Sequence, residues 1–165
     1  MLSAETAIGK YPIETVESMS EVCSGAELYE ESISKSDTFK FSELQRVDEA
    51  IAVSSISIAR NMNIKAIVAL TESGSTALMM SRIRSGIPIY AFTRNEPTQR
   101  RVGLYRGVIS YSYKFQATNF SEVLSEVSKE LLNSEMVSKG DLIIITSGYP
   151  LKVEGFTNSL RIVEI

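Results

Sequence analysis

Four short apolar runs, separated by segments with helical periodicity, are the feature that most constrains the fold of this chain. They are KAIVAL at 65–70, IPIYAF at 87–92, GVISYSY at 107–113 and DLIIIT at 141–146. Near-continuous apolar runs are typical of parallel strands, because crossover helices cover both faces of such a sheet. The pattern therefore predicts an α/β fold, a three-layer domain with a mainly parallel sheet.

A fifth apolar run, LRIVEI at 160–165, completes a predicted five-stranded sheet. It is joined to the fourth run by SGYPLKVEGFTNS, which has no helical pattern. A parallel pair usually needs a crossover helix, so we expect the last strand to be antiparallel and to lie at a sheet edge. Periodicity and capping signals predict helices at about 12–30, 47–62, 77–84, 97–104 and 119–133.

A polar stretch, SISKSDT at 32–38, divides the chain. Residues 1–12 are predicted to be loop-like, and Pro12 suits the first turn of a helix. We therefore predict an N-terminal arm with a linker at 1–36 and a compact α/β domain at 37–165.

Composition excludes several classes of protein. The net charge is −3, and no basic stripe is visible, so neither nucleic acid nor an anionic membrane is a predicted partner. No apolar run reaches the ~18 residues of a membrane span, and no signal-peptide pattern opens the chain, so we expect a cytoplasmic protein. There is no histidine and one cysteine, Cys23, which excludes Ser-His-Asp and Cys-His sites and a structural zinc site within this sequence.

The segment between the first apolar run and the next helix carries the strongest chemical signal. A Gly/Ser/Thr turn at a helix N-terminus offers unpaired N–H groups and the positive end of the helix dipole to a phosphate. The alternative, a hydroxyl that only caps the helix, stays open. The turn lacks the lysine of a Walker P-loop, so it suits holding a phosphate better than transferring one. The candidate phosphate-binding residues are Thr71, Glu72, Ser73, Gly74, Ser75 and Thr76.

Other polar and charged residues give weaker signals. Glu72 opposes an anion, at a cost of about 1 kcal/mol at 4 Å in water, unless its side chain points away or the ligand offers it a hydroxyl. Arg94 follows the second predicted strand and is a possible ligand contact. The long segment after the fourth strand is a candidate ligand loop or, equally, a solvated loop. Its candidate residues are Gly148, Lys152, Gly155 and Phe156.

Three segments resemble pyruvate kinase in the right order. MLSAETAIGKYPIETVESMSEVC resembles the motif that closes the catalytic barrel of that family. LTESGSTALMMSRIRSGIPIYAFTRNEPTQRRVGLYRGV resembles the first half of its C-terminal domain, and SKGDLIIITSG with GFTNSLRI resembles the end. The resemblance implies that 1–36 is the last barrel segment with a linker, that 37–165 is the regulatory domain, and that the chain is a fragment with an internal Met1.

The resemblance also implies a function. The family is a glycolytic transferase that moves a phosphoryl group from phosphoenolpyruvate to ADP with Mg²⁺ and K⁺, and its catalytic residues lie in barrel segments that do not match here. The fragment alone is therefore expected to be inactive and to hold no cofactor. The turn at 71–76 and the loop at 147–156 would bind a phosphorylated sugar or nucleotide effector. Glu72 replaces a common lysine, which favours sugar monophosphates or AMP over fructose 1,6-bisphosphate, and Ala4 replaces a usual glycine.

The predicted helix at 47–62 is apolar on two sides. Such a helix needs a second partner, and an apolar edge strand at 160–165 leaves open N–H and C=O groups. We therefore predict a homo-oligomer through these two elements, which the resemblance makes a homotetramer. Two alternatives remain: an independent phosphometabolite-binding regulatory module, and a purely structural oligomerisation domain. The two apolar sides comprise Val47, Ile51, Ile58 and Met62 on one and Ala52, Ile56 and Ala59 on the other.

Overall fold

The structure is a computed structural model that describes residues 2–33, 45–83, 85–112, 119–149 and 156–165, with side chains in all but the last turn of the second helix. The chain divides into two units, Met1–Thr38 and Phe39–Ile165. Across the described parts of the chain, no helix combines the length and apolar character that a bilayer crossing requires.

The first unit contains two helices, α1 (Ala4–Ala7) and α2 (Pro12–Ile33). The loop-like prediction for residues 1–12 is wrong at α1, where the N–H groups of Thr6 and Ala7 both donate to the Ser3 carbonyl. A single turn is too short to show an apolar period, so the sequence pattern does not reveal it. Pro12 opens α2, as its fixed φ and missing N–H favour.

The second unit is a mixed five-stranded sheet with the strand order β3-β2-β1-β4-β5. Strand β1 pairs in parallel with both β2 and β4, β2 pairs in parallel with β3, and β5 runs antiparallel to β4 at the edge. The α/β class and the antiparallel edge strand are thus confirmed. The elements are α3 (Val47–Asn61), β1 (Ile64–Leu70), α4 (Ser75–Ile83), β2 (Ile89–Thr93), α5 (Glu96–Val102), β3 (Val108–Ser112), α6 (Phe120–Asn133), β4 (Leu142–Ser147) and β5 (Ser159–Glu164).

Helices cover both faces of the sheet, which explains why its central strands are mostly apolar. One core joins α3, α4 and α5 to one face, where Ile67 and Ala69 of β1 point. The other core joins α6 to the opposite face, where Ala66 and Val68 point. All four of these β1 side chains are 0% exposed. The side chains of α6 that fill the second core recur every four residues, as an amphipathic helix requires, at Val123, Val127 and Leu131.

The order of the strands makes the carboxyl ends of β1 and β4 a topological switch point. Strand β1 leads through α4 to β2 on one side, whereas β4, which follows α6 on the opposite face, lies on its other side. The two strand ends are adjacent, since Ala69 pairs with Thr146 and the Thr146 hydroxyl donates to the Val68 carbonyl at 3.2 Å. Open α/β sheets bind ligands at such a topological switch point.

Candidate functional site

The turn that follows β1 is tightly held against the sheet and α5. The Thr71 N–H donates to the Phe92 carbonyl at 3.0 Å, and the Thr71 hydroxyl accepts from the Gly74 N–H at 2.8 Å. Gly74 has a φ of 81°. A Cβ on Gly74 would lie 2.7 Å from the Val102 Cγ1 atom. Glycine is therefore required here both by the backbone conformation and by the close approach of α5.

The same turn leaves backbone donors available at the start of α4. Within the part of the chain that the structure describes, the N–H groups of Ser73, Thr76 and Ala77 have no acceptor, and the first backbone bond of α4 runs from Leu78 to Gly74. The capping alternative holds for one amide only, since the Ser75 N–H makes a long bond of 3.4 Å to the Ser73 hydroxyl. Free donors and the positive end of the helix dipole therefore coincide at this turn.

Glu72 lies beside Arg94 rather than alone in the turn. Its Oε1 atom is 3.8 Å from the Arg94 Nε atom, and both side chains are about one-third exposed, at 28% and 36%. A pair this open to solvent contributes less than about 1 kcal/mol to stability. The contact matters for charge, since the Arg94 guanidinium partly offsets the repulsion between the Glu72 carboxylate and an anion bound at the turn. The Glu72 carbonyl also accepts from the Thr98 hydroxyl at 2.8 Å, which fixes the backbone of the turn.

The segment that leads into β5 contacts the turn. The hydroxyl oxygens of Thr76 and Thr157 are 2.6 Å apart and buried, although the two residues are 81 positions apart in the sequence. Of the predicted loop residues, Gly148 is half-buried and Phe156 is 49% exposed. Lys152 and Gly155 lie outside the described residues.

Asn158 holds the two ends of this connection together. Its side-chain oxygen accepts from the Tyr149 N–H at 2.7 Å, and its side-chain nitrogen donates to the Tyr149 carbonyl at 2.8 Å. The Asn158 N–H also donates to the Ser147 carbonyl at 3.2 Å. Our sequence reasoning singled out neither Thr157 nor Asn158, although both belong to the GFTN segment that leads into the last strand.

The two predicted oligomer elements expose apolar side chains. In α3, Ala52 and Ile56 are buried and Val47 is 51% exposed, and Met62, which directly follows the helix, is 43% exposed. In β5, Ile162 is 40% exposed. The Ala52 side of α3 therefore packs in the core, whereas the other side is exposed at Val47 and partly buried at Ile51 and Ile58.

The described residues do not fit Mg²⁺, the divalent ion that the resemblance implies for the whole enzyme. Among residues 2–33, 45–83, 85–112, 119–149 and 156–165, no three Cys, Asp or Glu side chains come together as a metal-binding group. Protein-bound Mg²⁺ is held through carboxylates, often together with substrate phosphates. The turn at 71–76 offers hydroxyls and amides instead, which suit an anion.

Comparison with known proteins gives one consistent match. The family model described as the pyruvate kinase alpha/beta domain matches residues 49–163. The whole chain is 41% identical to a pyruvate kinase of Buchnera aphidicola subsp. Acyrthosiphon pisum and 42% identical to pyruvate kinase II of Salmonella typhimurium, and it spans 34% of each. A pyruvate kinase of Staphylococcus saprophyticus is 39% identical over 98% of this chain, which spans 28% of that relative. The chain therefore belongs to the pyruvate kinase family and contains its α/β domain.

Proposed function

We propose that this chain is the allosteric and oligomerisation domain of a pyruvate kinase, and that the turn at 71–76 holds the phosphate of an effector. The whole enzyme would transfer the phosphoryl group of phosphoenolpyruvate to ADP, in the cytoplasm, as a step of glycolysis. One observation carries the proposal: free N–H groups at the start of α4 lie at the switch point between β1 and β4.

The turn has the chemistry of an anion site. The three free N–H groups belong to Ser73 in the turn and to Thr76 and Ala77 in the first turn of α4. Hydrogen bonds to a charged group are worth about 1.5–3 kcal/mol each, more than those between neutral groups. The dipole of α4 adds about 0.3–1 kcal/mol for a negative charge at its N-terminus. Together these terms favour a phosphate over a neutral ligand.

The site suits holding a phosphate and not transferring one. Phosphoryl transfer depends on metal ions and cationic side chains that clamp the migrating group. The turn contains no lysine or arginine, and the described residues form no carboxylate cluster for a divalent metal. We therefore assign catalysis, with Mg²⁺ and K⁺, to the remainder of the enzyme, in accord with a chain that spans about a third of its relatives.

The surroundings of the turn favour a phosphorylated sugar or nucleotide. Glu72 lies in the turn, and its carboxylate accepts hydrogen bonds but repels a second phosphate. A sugar hydroxyl could donate to that carboxylate while the phosphate binds the free N–H groups. We therefore propose a sugar monophosphate or AMP as the effector, in preference to a bisphosphate such as fructose 1,6-bisphosphate.

A homo-oligomer is proposed through α3 and β5. Exposed apolar side chains lie on or next to each element: Val47 on α3, Met62 directly after it, and Ile162 on β5. Strand β5 is also a sheet edge, where unpaired backbone groups are open to another chain. We propose that the whole enzyme is a homotetramer with a less active and a more active state. An effector that binds one of these states better than the other would shift the enzyme toward it.

The effector proposal is tested by thermal and urea unfolding of the purified chain with matched ligands. Glucose 6-phosphate and AMP are each compared with their unphosphorylated counterparts, glucose and adenosine. A ligand present at 100 times its Kd adds about 2.7 kcal/mol to the free energy of unfolding. We expect stabilisation only by phosphorylated compounds. Equal effects of both members of a pair, or none from any compound, would refute the effector role and favour a purely structural domain.

The oligomer proposal is tested by sedimentation of the chain at tens of micromolar. Ile162 on β5 and Ile109 on β3 are both 40% exposed and lie on opposite edge strands, so they form a matched pair. We expect Ile162→Asp to give monomers and Ile109→Asp to sediment like the unmodified chain. A wild-type monomer would contradict the proposal, as would equal behaviour of the two variants.

A further inference from the structure

We draw no further inference here: the strongest candidate, the two exposed aromatic side chains at the ends of the connection between β4 and β5, Tyr149 and Phe156, belongs to the ligand site already described.

Discussion

Replacing Gly74 by alanine tests whether the turn is as tightly constrained as its geometry indicates. Gly74 has a φ of 81°, and an added Cβ would lie 2.7 Å from Val102 Cγ1 and 3.4 Å from Thr98 Cγ2. Val102, the last residue of α5, is 0% exposed and belongs to the core, so it has little room to move away. The substitution therefore introduces both backbone strain and a clash.

The expected loss of stability is the sum of these two effects. A non-glycine residue in the left-handed region costs about 1–2 kcal/mol. Forcing an extra methyl group into a packed core costs about 1–3 kcal/mol. The reduced entropy of the unfolded chain returns about 0.4–1 kcal/mol. The net prediction for Gly74→Ala is a loss of about 2–4 kcal/mol in the free energy of unfolding.

Gly86 is the matched control, since its φ is 73° and nothing lies within 4 Å of its added Cβ. Gly86→Ala should cost only the backbone strain, about 1 kcal/mol after the entropy gain. Because the chain contains no tryptophan, urea unfolding is followed by circular dichroism. We expect a lower midpoint for Gly74→Ala at an unchanged slope. Equal midpoints for the two variants would refute the packing argument.

Three further changes probe the site and the core. Glu72→Gln removes a carboxylate from the turn and should tighten phosphate binding about fivefold, as measured by titration; weaker binding would contradict the charge argument. Asn158→Ala removes two bonds to Tyr149 and should cost about 1–3 kcal/mol in urea unfolding, and no loss would show that the clamp is unimportant. Burial, with the nearby Tyr111, raises the pKa of Tyr90. The folded state therefore favours the neutral phenol of Tyr90, and the free energy of unfolding falls as the pH rises beyond about 10. Tyr90→Phe should lessen that fall in unfolding experiments at alkaline pH.

The strands could be predicted from the sequence because each one is a short, nearly continuous apolar run. The antiparallel edge strand β5 was predictable as well, since SGYPLKVEGFTNS has no helical period to form a crossover. The helix α1 was not, because its N–H groups bond within a single turn. The apolar pattern of the sequence therefore predicts a helix or strand only when the element is long enough for the pattern to repeat.

The candidate site divides in the same way. The turn at 71–76 could be identified because Gly, Ser and Thr lie between an apolar strand and a helix. The contact between Thr76 and Thr157 could not, because it joins residues 81 positions apart. That contact depends on β4 lying next to β1, an order that the apolar runs alone do not specify. The proximity of Arg94 to Glu72 likewise requires the position of β2 beside β1.

The bidentate pairing of Asn158 with Tyr149 has a consequence for how this family can diversify. The two residues are nine positions apart, and one amide side chain joins the chain across that distance. This pairing helps to hold the register of β4 and β5 at the point where the connection between them begins and ends. We expect changes of length in residues 150–156 to cost little in folding, because the lengthening of a loop that is already closed adds little entropy loss.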